Sequence, residues 1–174
     1  MAFYKLNAFH FNLANDEGWR LEIPGLPELT DFGAKRGFSV DESEFLWPYY
    51  ASGADPDKNL TGSGFYSVAD FKEIVAYAKA RHIEVIPELG VPAHSRAAIL
   101  AMEKRFERLS KAGNMAEAQA YRLADPDDQS RYLSAQNFRG NTVCVCQEST
   151  YAFYEKIVQE VKSMFAAAGV SLTD

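Results

Sequence analysis

The sequence has little of what membrane-spanning and nucleic-acid-binding proteins require. Its 174 residues hold no apolar run near the ~18 residues that cross a bilayer. Lysine and arginine total 18 against 24 acidic residues, and the net charge is −6. A nucleic-acid surface needs clustered basic side chains to replace counterions. We therefore expect no membrane partner and no nucleic-acid partner.

Cysteine is also scarce, because Cys144 and Cys146 are the only two. They lie in a segment, Thr142–Cys146, with strong β propensity. Alternate residues of a strand point to opposite faces, so two of them separated by one residue rarely form a bridge. A metal site would need further ligands nearby in the sequence, and there are none. We predict two reduced thiols, no metal and no cofactor.

Apolar residues make up 47% of the chain and charged residues 24%, which is typical of a soluble globular protein. The first residues, MAFYKLNAFHF, have one early lysine and no small-residue cleavage site, so they do not read as a secretory signal. We expect a soluble chain that forms one domain over residues 1–174, with its compartment left open.

Hydrophobic periodicity predicts an α/β protein with a parallel sheet. Residues 3–13 and 83–89 read as buried strands. Between them, residues 68–81 have helical spacing, and Ser67 and Asp70 have the form of a capping box. A strand, a crossover helix and a second strand make a βαβ unit, which requires parallel pairing.

The rest of the chain predicts further helices and one long loop. Helices are expected at about 95–112, 115–123 and 149–168, with a short strand at 142–146 between the last two. The last helix is expected to bury Tyr154, Ile157, Val158, Val161, Met164 and Phe165 and to end at Gly169. Residues 21–64 are rich in proline and glycine, and connections of such length are usually functional.

Two long motifs give the chain a specific resemblance. Residues 5–20, KLNAFHFNLANDEGWR, are similar to the pattern KLN-x-[FL]-H-[FLW]-H-L-x-D-D-[EQ]-G-W-R, and residues 21–36 continue the match. Residues 81–88, RHIEVIPE, and residues 92–98, PAHSRAA, resemble R-x-I-x-V-[IV]-P-E-[IF]-D-x-P-[GA]-H-x-x-A. These patterns belong to the second and third barrel strands of the family 20 β-N-acetylhexosaminidases, which the chain therefore resembles. The insertion around Asp125-Pro126 and the helix start at residues 148–150 look like those of bacterial chitobiases within the family.

The resemblance implies a partial (β/α)8 barrel, with two to three parallel strands and flanking helices, and a site at the carboxyl ends of the strands. The family hydrolyses terminal N-acetylglucosamine from chitobiose-like substrates with help from the substrate's acetamido group. An adjacent Asp-Glu pair in the motif H-x-G-G-D-E does the central work, and the sequence does not contain that motif. We therefore predict no catalytic residue in this chain and no hydrolysis by the chain alone.

Three positions depart from the family pattern. Asn12 stands for the second histidine of H-x-H, Asn15 for the first aspartate of D-D, and Gly90 for the aspartate that follows P-E-[IF]. In the family that first aspartate bonds the histidine corresponding to His94. An amide at Asn15 is therefore expected to remove the charged partner of His94.

Substrate contacts are predicted for Asp16, Trp19 and His94. Each also has a structural reading: Asp16 as a turn cap, Trp19 as an indole packed under the loop, and His94 as a packed histidine. Trp47, in the long loop, is a weaker candidate for stacking on a sugar ring.

Three functions remain open from the sequence. The chain is a catalytically silent barrel piece that folds and self-associates as a scaffold, a hexosaminidase segment completed by another chain, or a non-catalytic binder of N-acetylglucosamine or chitobiose. Two or three strands cannot close a barrel, and their apolar residues are expected on both faces. We therefore expect a homo-oligomer formed through exposed strand edges or the sheet face.

Overall fold

A three-stranded sheet lies at the centre of the fold. The computed structural model describes residues 1–50, 52–58 and 62–172. Strand β1 (Ala8–Asn15) turns back into β2 (Gly18–Trp19), and β3 (Glu84–Leu89) lies on the other side of β1. The β1–β2 pair is antiparallel and the β1–β3 pair is parallel. The described residues therefore contain two parallel strands, the lower of the two numbers expected.

The first strand begins later than the sequence predicts. Residues Ala2–Tyr4 form a 3₁₀ turn, and Lys5 follows with a left-handed φ of 56°. A left-handed residue interrupts an extended chain, so the strand cannot start at residue 3. Phe3 and Tyr4 are consequently exposed and do not join the core.

Five α-helices accompany the sheet in the described part of the chain, and none of them is long and apolar enough to cross a membrane. They are α1 (Glu28–Asp31), α2 (Val68–Lys79), α3 (Arg96–Lys111), α4 (Met115–Gln119) and α5 (Glu148–Ala167). The four-residue α1 lies inside the segment predicted as one long loop.

Helix α2 makes the predicted crossover between β1 and β3. The Ser67 hydroxyl accepts the Asp70 amide at 3.1 Å, and the Asp70 carboxylate accepts the Ser67 amide at 2.9 Å. This capping box satisfies two of the amides that a helix start leaves unpaired. The predicted βαβ unit and its capping box are both confirmed.

Aromatic side chains join the sheet to α2 and α5. Phe11 of β1 lies with its ring centroid 6.1 Å from that of Phe71, and Phe71 meets Phe165 edge-on at 5.6 Å. Phe71 is fully buried. Buried aromatic pairs add to the stabilisation that comes from removing their surface from water.

The last helix buries a narrower stripe than predicted. Four of the expected core residues are buried, namely Ile157, Val161, Met164 and Phe165. Val158 is exposed and Tyr154 is only partly buried, because α5 packs along one side. Gly169 follows the helix with φ 74°, as its predicted stop requires.

Residues 142–146 do not form the predicted short strand. The Val143 amide donates to the Pro92 carbonyl, and the Cys144 amide donates to the Leu123 carbonyl, both at 2.8 Å. These bonds hold a loop that turns at Val145 and Cys146. In this turn the two sulfurs lie on the same side, and the structure joins Cys144 and Cys146 in a disulfide. The prediction of two reduced thiols is therefore wrong for this structure.

One face of the sheet, which none of the described helices covers, is mostly polar. His10, Asn12 and Glu88 lie on it, and Ile86 is its main apolar side chain, 45% exposed. The opposite face carries Phe11 and the other buried residues. The expectation of apolar residues on both faces is therefore wrong, because strand alternation here separates polar from apolar positions.

Candidate functional site at the carboxyl ends of the strands

The centre of the site is the buried carboxylate of Asp16, which is 1% exposed. Its Oδ2 lies 2.9 Å from Nδ1 of His94 and accepts the Asn141 side-chain amide at 2.9 Å. Its Oδ1 accepts the backbone amide of Arg96 at 3.0 Å. A buried carboxylate is stable only when donors replace its lost water, and here three donors do so.

The turn after β1 places Asp16 at this position. Asn15 pairs with Gly18 across the β1–β2 hairpin, and the Asn15 side-chain oxygen accepts the Asp16 amide at 2.7 Å. The turn therefore directs the Asp16 carboxylate into the carboxyl end of the sheet, where the loop after β3 also arrives. The carboxyl ends of neighbouring parallel strands meet at one edge, which brings residues 16 and 94 together.

The structure corrects the prediction about Asn15. The family resemblance implied that the residue at position 15 is the hydrogen-bond partner of His94. An amide at that position would leave His94 without a charged partner. Asp16 makes that contact instead, so the charged partner is retained. Asn15 accepts a hydrogen bond within the turn, and its amide does not remove the charged partner of His94.

His94 presents one side of its ring to solvent. Its backbone has a left-handed φ of 57°, and its side chain is 46% exposed. Because a carboxylate only accepts hydrogen bonds, the Nδ1 facing Asp16 carries a hydrogen. In the neutral ring the accepting nitrogen is then Nε2, which makes no hydrogen bond to any described residue. An imidazole oriented by a carboxylate in this way can receive or hold a proton at a defined atom.

Asn141 completes the site, although no motif in the sequence points to it. It is buried, its amide side chain donates to Asp16, and its Oδ1 accepts the Tyr132 hydroxyl at 2.9 Å. The Asn141 carbonyl also accepts the Ser95 amide at 2.9 Å. Asn141 lies 125 positions from Asp16, in a polar loop without periodicity, so no local signal points to it.

Two long loops are fixed to the site by Arg96. The guanidinium forms an ion pair with the buried Glu42 of the long loop and donates to the Arg139 carbonyl at 2.8 Å. It also lies 6.0 Å from the centre of the Trp47 ring. Trp47 is 39% exposed, and its stacking on a sugar stays a prediction.

A second polar group lies on the open face of the sheet. Asn12 donates its amide to Glu88 at 3.1 Å, and Nε2 of His10 contacts the same carboxylate. Asn12 and Glu88 are register partners across β1 and β3. The substitution of histidine by Asn12 therefore leaves a side chain that still bonds its neighbour on the next strand.

The glycine at position 90 belongs to a close approach between loops. A Cβ there would lie 2.9 Å from the His94 carbonyl and 3.2 Å from the Ala14 carbonyl. The Gly90 carbonyl accepts the Ser95 hydroxyl at 2.7 Å and lies 3.4 Å from the Tyr154 hydroxyl. Burial raises the pKa of Tyr154, partly offset by its contact with Ser95. A side chain at position 90 would require this loop to move.

Trp19 lies in the core and not at the site surface. It is 1% exposed, its indole nitrogen donates to the Leu21 carbonyl at 2.6 Å, and its ring meets Phe153 edge-on at 5.9 Å. An indole covered on all sides offers no face to a sugar. The structure therefore supports the packing interpretation of Trp19, and of the three predicted contact residues only His94 is open to solvent.

Parallel strands with functional groups gathered at their carboxyl ends are typical of (β/α)8 barrels and of open parallel α/β sheets. The comparison with known families is specific: residues 1–172 match the family described as glycosyl hydrolase family 20, catalytic domain. The chain belongs to that family.

Curated relatives agree with this assignment. The chain is 51% identical over 172 residues to β-hexosaminidase B of Pseudoalteromonas piscicida, covering 99% of this chain and 22% of that protein. It is 49% identical over 174 residues to the N,N'-diacetylchitobiase of Vibrio harveyi, covering 99% of this chain and 20% of that protein. The chain thus spans about a fifth of the length of these relatives.

Solved structures show the same fold. The family 20 exo-β-N-acetylglucosaminidase of Vibrio harveyi, in complex with N-acetylglucosamine, superposes with a TM-score of 0.75 at 34% identity, over 95% of this chain and 22% of that one. The β-N-acetylhexosaminidase of Streptomyces coelicolor A3(2) gives 0.58 at 28% identity, over 94% of this chain and 25% of that one. The predicted partial barrel is confirmed.

Proposed function

We propose that this chain supplies one part of the active site of a β-N-acetylhexosaminidase that removes terminal N-acetylglucosamine from chitobiose-like substrates. The observation that carries the proposal is the Asp16–His94 pair at the carboxyl ends of β1 and β3. The buried carboxylate fixes the ring, and the open side of the ring faces the space that a substrate or a catalytic acid would occupy.

The proposal assigns His94 a supporting role. Protonating a glycosidic oxygen requires a carboxylic acid placed within hydrogen-bond reach of it. The carboxylates at this end of the sheet have other roles: Asp16 accepts three donors in the interior, and Glu88 is engaged by His10 and Asn12. We therefore expect no hydrolysis by these residues without an acid from the H-x-G-G-D-E motif.

The test is release of nitrophenol from p-nitrophenyl N-acetyl-β-glucosaminide. The 174-residue chain alone should give no signal above buffer. Mixed with a chain that carries the rest of the barrel, it should give turnover, and His94→Ala or Asp16→Asn should lower that turnover by at least about tenfold, as loss of an orienting partner does.

His82→Ala is the matched control, because His82 is exposed, shares the left-handed backbone of His94, and its side chain makes no hydrogen bond or ion pair within the described residues. It should leave the restored activity unchanged. Repeated turnover by the purified chain alone would contradict the proposal. So would equal activity of the His94→Ala and His82→Ala variants.

A second candidate is non-catalytic binding of the same sugar. The observation that favours it is the exposed group of His10, Asn12 and Glu88, which offers donors and acceptors on the open face. Calorimetry with chitobiose should then show heat that disappears in the Asn12→Ala, Glu88→Ala double variant. Absence of heat at millimolar chitobiose would remove this candidate.

We also propose that the chain forms a homo-oligomer through an exposed strand edge. Within the described residues β3 pairs only with β1, so its other edge has unpaired backbone groups. The polar open face makes sheet-on-sheet packing a weaker route than pairing along this edge. Analytical ultracentrifugation should show a dimer or larger species, and a stable monomer at high concentration would contradict this part.

A further inference from the structure

Three possible metal ligands lie together at the base of the loop that carries Asn141. They are Asp125, Cys144 and Cys146, and their ligand atoms all lie within 4.8 Å of one another. None of the three residues contacts the Asp16–His94 pair through a hydrogen bond. Asp125 and Cys144 are partly buried and Cys146 is exposed, so an ion could reach them.

Two hydrogen bonds hold the segments that carry this group next to each other. The Cys144 amide donates to the Leu123 carbonyl at 2.8 Å, and the Ser149 hydroxyl donates to the Arg122 carbonyl at 2.6 Å. Both bonds fasten the start of α5 to the segment just before Asp125. The two segments that carry the ligands are therefore held side by side by these bonds, and in this structure the two sulfurs are also joined by the disulfide.

The surroundings leave a ligand oxygen available. The Asp127 amide donates to Oδ1 of Asp125 at 2.9 Å, while Oδ2 makes no hydrogen bond to a described residue. A cleft beside Asp125 and Cys144 is also lined by Asp128, Ser130 and Thr142, which supply further oxygens. The cleft gives space for an ion and its water.

We propose that, when Cys144 and Cys146 are reduced, they bind one zinc ion together with Asp125, with the fourth position taken by water. Two thiolates, one carboxylate and a water suit tetrahedral zinc. Reduction of the disulfide by an external thiol or phosphine adds two electrons and two protons. Zinc binding then displaces the two thiol protons.

The ion would hold the two ends of the loop together. Residues 125 and 144 are the two ends of the segment that brings Tyr132 and Asn141 to Asp16. Holding the ends of a loop together reduces the entropy lost when its middle is ordered. The disulfide and the metal are alternative states, because sulfurs bonded to each other are not thiolate ligands.

The test uses cobalt as the probe on the intact 174-residue chain after phosphine reduction. Cobalt should bind with a 1:1 stoichiometry, produce sulfur-to-cobalt charge-transfer absorption and be displaced by zinc. The Cys144→Ser, Cys146→Ser double variant should lose the absorption. Asp125→Asn should weaken binding by at least about tenfold, because it removes a charged ligand and even the loss of an outer partner of a ligand costs that much.

Asp127→Asn is the matched control, since only the Asp127 backbone amide is used. It should bind cobalt as the unchanged chain does. Circular dichroism of each variant should show that the fold is retained. Failure of the reduced chain to bind cobalt, retention of the absorption by the double serine variant, or unchanged affinity in Asp125→Asn would each overturn the three-ligand site.

Discussion

The two faces of the β1–β3 pair differ in what covers them and in what they can do. One face carries Phe11, which is buried against Phe71 of α2. The other carries His10 and Asn12, which are exposed and reach across to Glu88. Successive residues of the same strand thus alternate between core and open surface. The stability of the fold comes mainly from the covered face, and its polar chemistry lies on the open face and at the strand ends.

The largest effect should come from the covered face. Phe71→Ala removes a fully buried ring and should lower the free energy of unfolding by about 3–5 kcal/mol, because both transfer energy and a cavity are lost. Urea denaturation measures this. Ile86→Ala on the open face, 45% exposed, is the control and should cost about 1 kcal/mol or less. Equal losses would show that the open face is also covered in solution.

The second-largest effect should come from the carboxyl ends of the strands, where Asp16 lies. Asp16→Asn should lower the free energy of unfolding by about 2–3 kcal/mol, because three donors around a buried position lose a charged acceptor. Asp31→Asn is the control, since Asp31 is exposed, and it should change stability little. Thermal and urea unfolding should agree. A neutral Asp16→Asn would mean that the carboxylate is not needed to hold the site.

A smaller loss is expected where the loop joins the site. Asn141→Ala removes one donor to Asp16 and the acceptor of the Tyr132 hydroxyl, and should cost about 1–2 kcal/mol. Asn114→Ala is the matched control, because the Asn114 side chain makes no capping bond. Hydrogen exchange should show faster opening of residues 125–141 in Asn141→Ala only. Unchanged exchange would separate this loop from the site.

The smallest effect lies at the start of α2, away from both faces. Ser67→Ala should cost about 1 kcal/mol, as loss of a helix cap does. The Ser67 hydroxyl and amide hold the pKa of Asp70 below its ordinary value of 3.8. A depressed carboxyl pKa means that the stabilisation is complete above the unfolded pKa and is lost as pH falls through the folded one.

The pH dependence gives a separate measurement. In urea unfolding, the difference between the unchanged chain and Asp70→Asn should be constant from pH 7 down to about pH 5 and should shrink below the unfolded carboxyl pKa of about 3.9. Glu73→Gln is the control, because Glu73 is an exposed residue of the same helix with no hydrogen bond or ion pair among the described residues. It should show no such change. A difference that grows on acidification would contradict the assigned sign.

Local patterns predicted the elements well. The capping box at Ser67 and Asp70, the helical spacing of α3 and α5 and the glycine stop at Gly169 all depend on residues a few positions apart. Motif likeness predicted the barrel and placed Asp16 and His94 at one end of it. The bounds were less accurate, as the late start of β1 shows.

Contacts between distant segments were not predictable in the same way. Asn141 reaches Asp16, Arg96 reaches Glu42, and Asp125 reaches the two cysteines, and no periodicity or spacing connects these residues. The corrections to the predictions for Asn15 and Trp19 have the same cause. A motif does not show which of two neighbouring residues contacts His94. It also does not show whether an aromatic ring faces the core or the substrate.

The amino-acid sequence by itself determined the family, the βαβ unit and the alternation that separates a buried from an open face, since these follow from side chains adjacent along one strand or helix. Only the tertiary structure decided which carboxylate holds His94 and which asparagine supports it. It also decided how the two cysteines meet in a turn beside Asp125. The physical reason is that these contacts depend on where the ends of two long loops come to rest, and backbone hydrogen bonds to other elements set those positions.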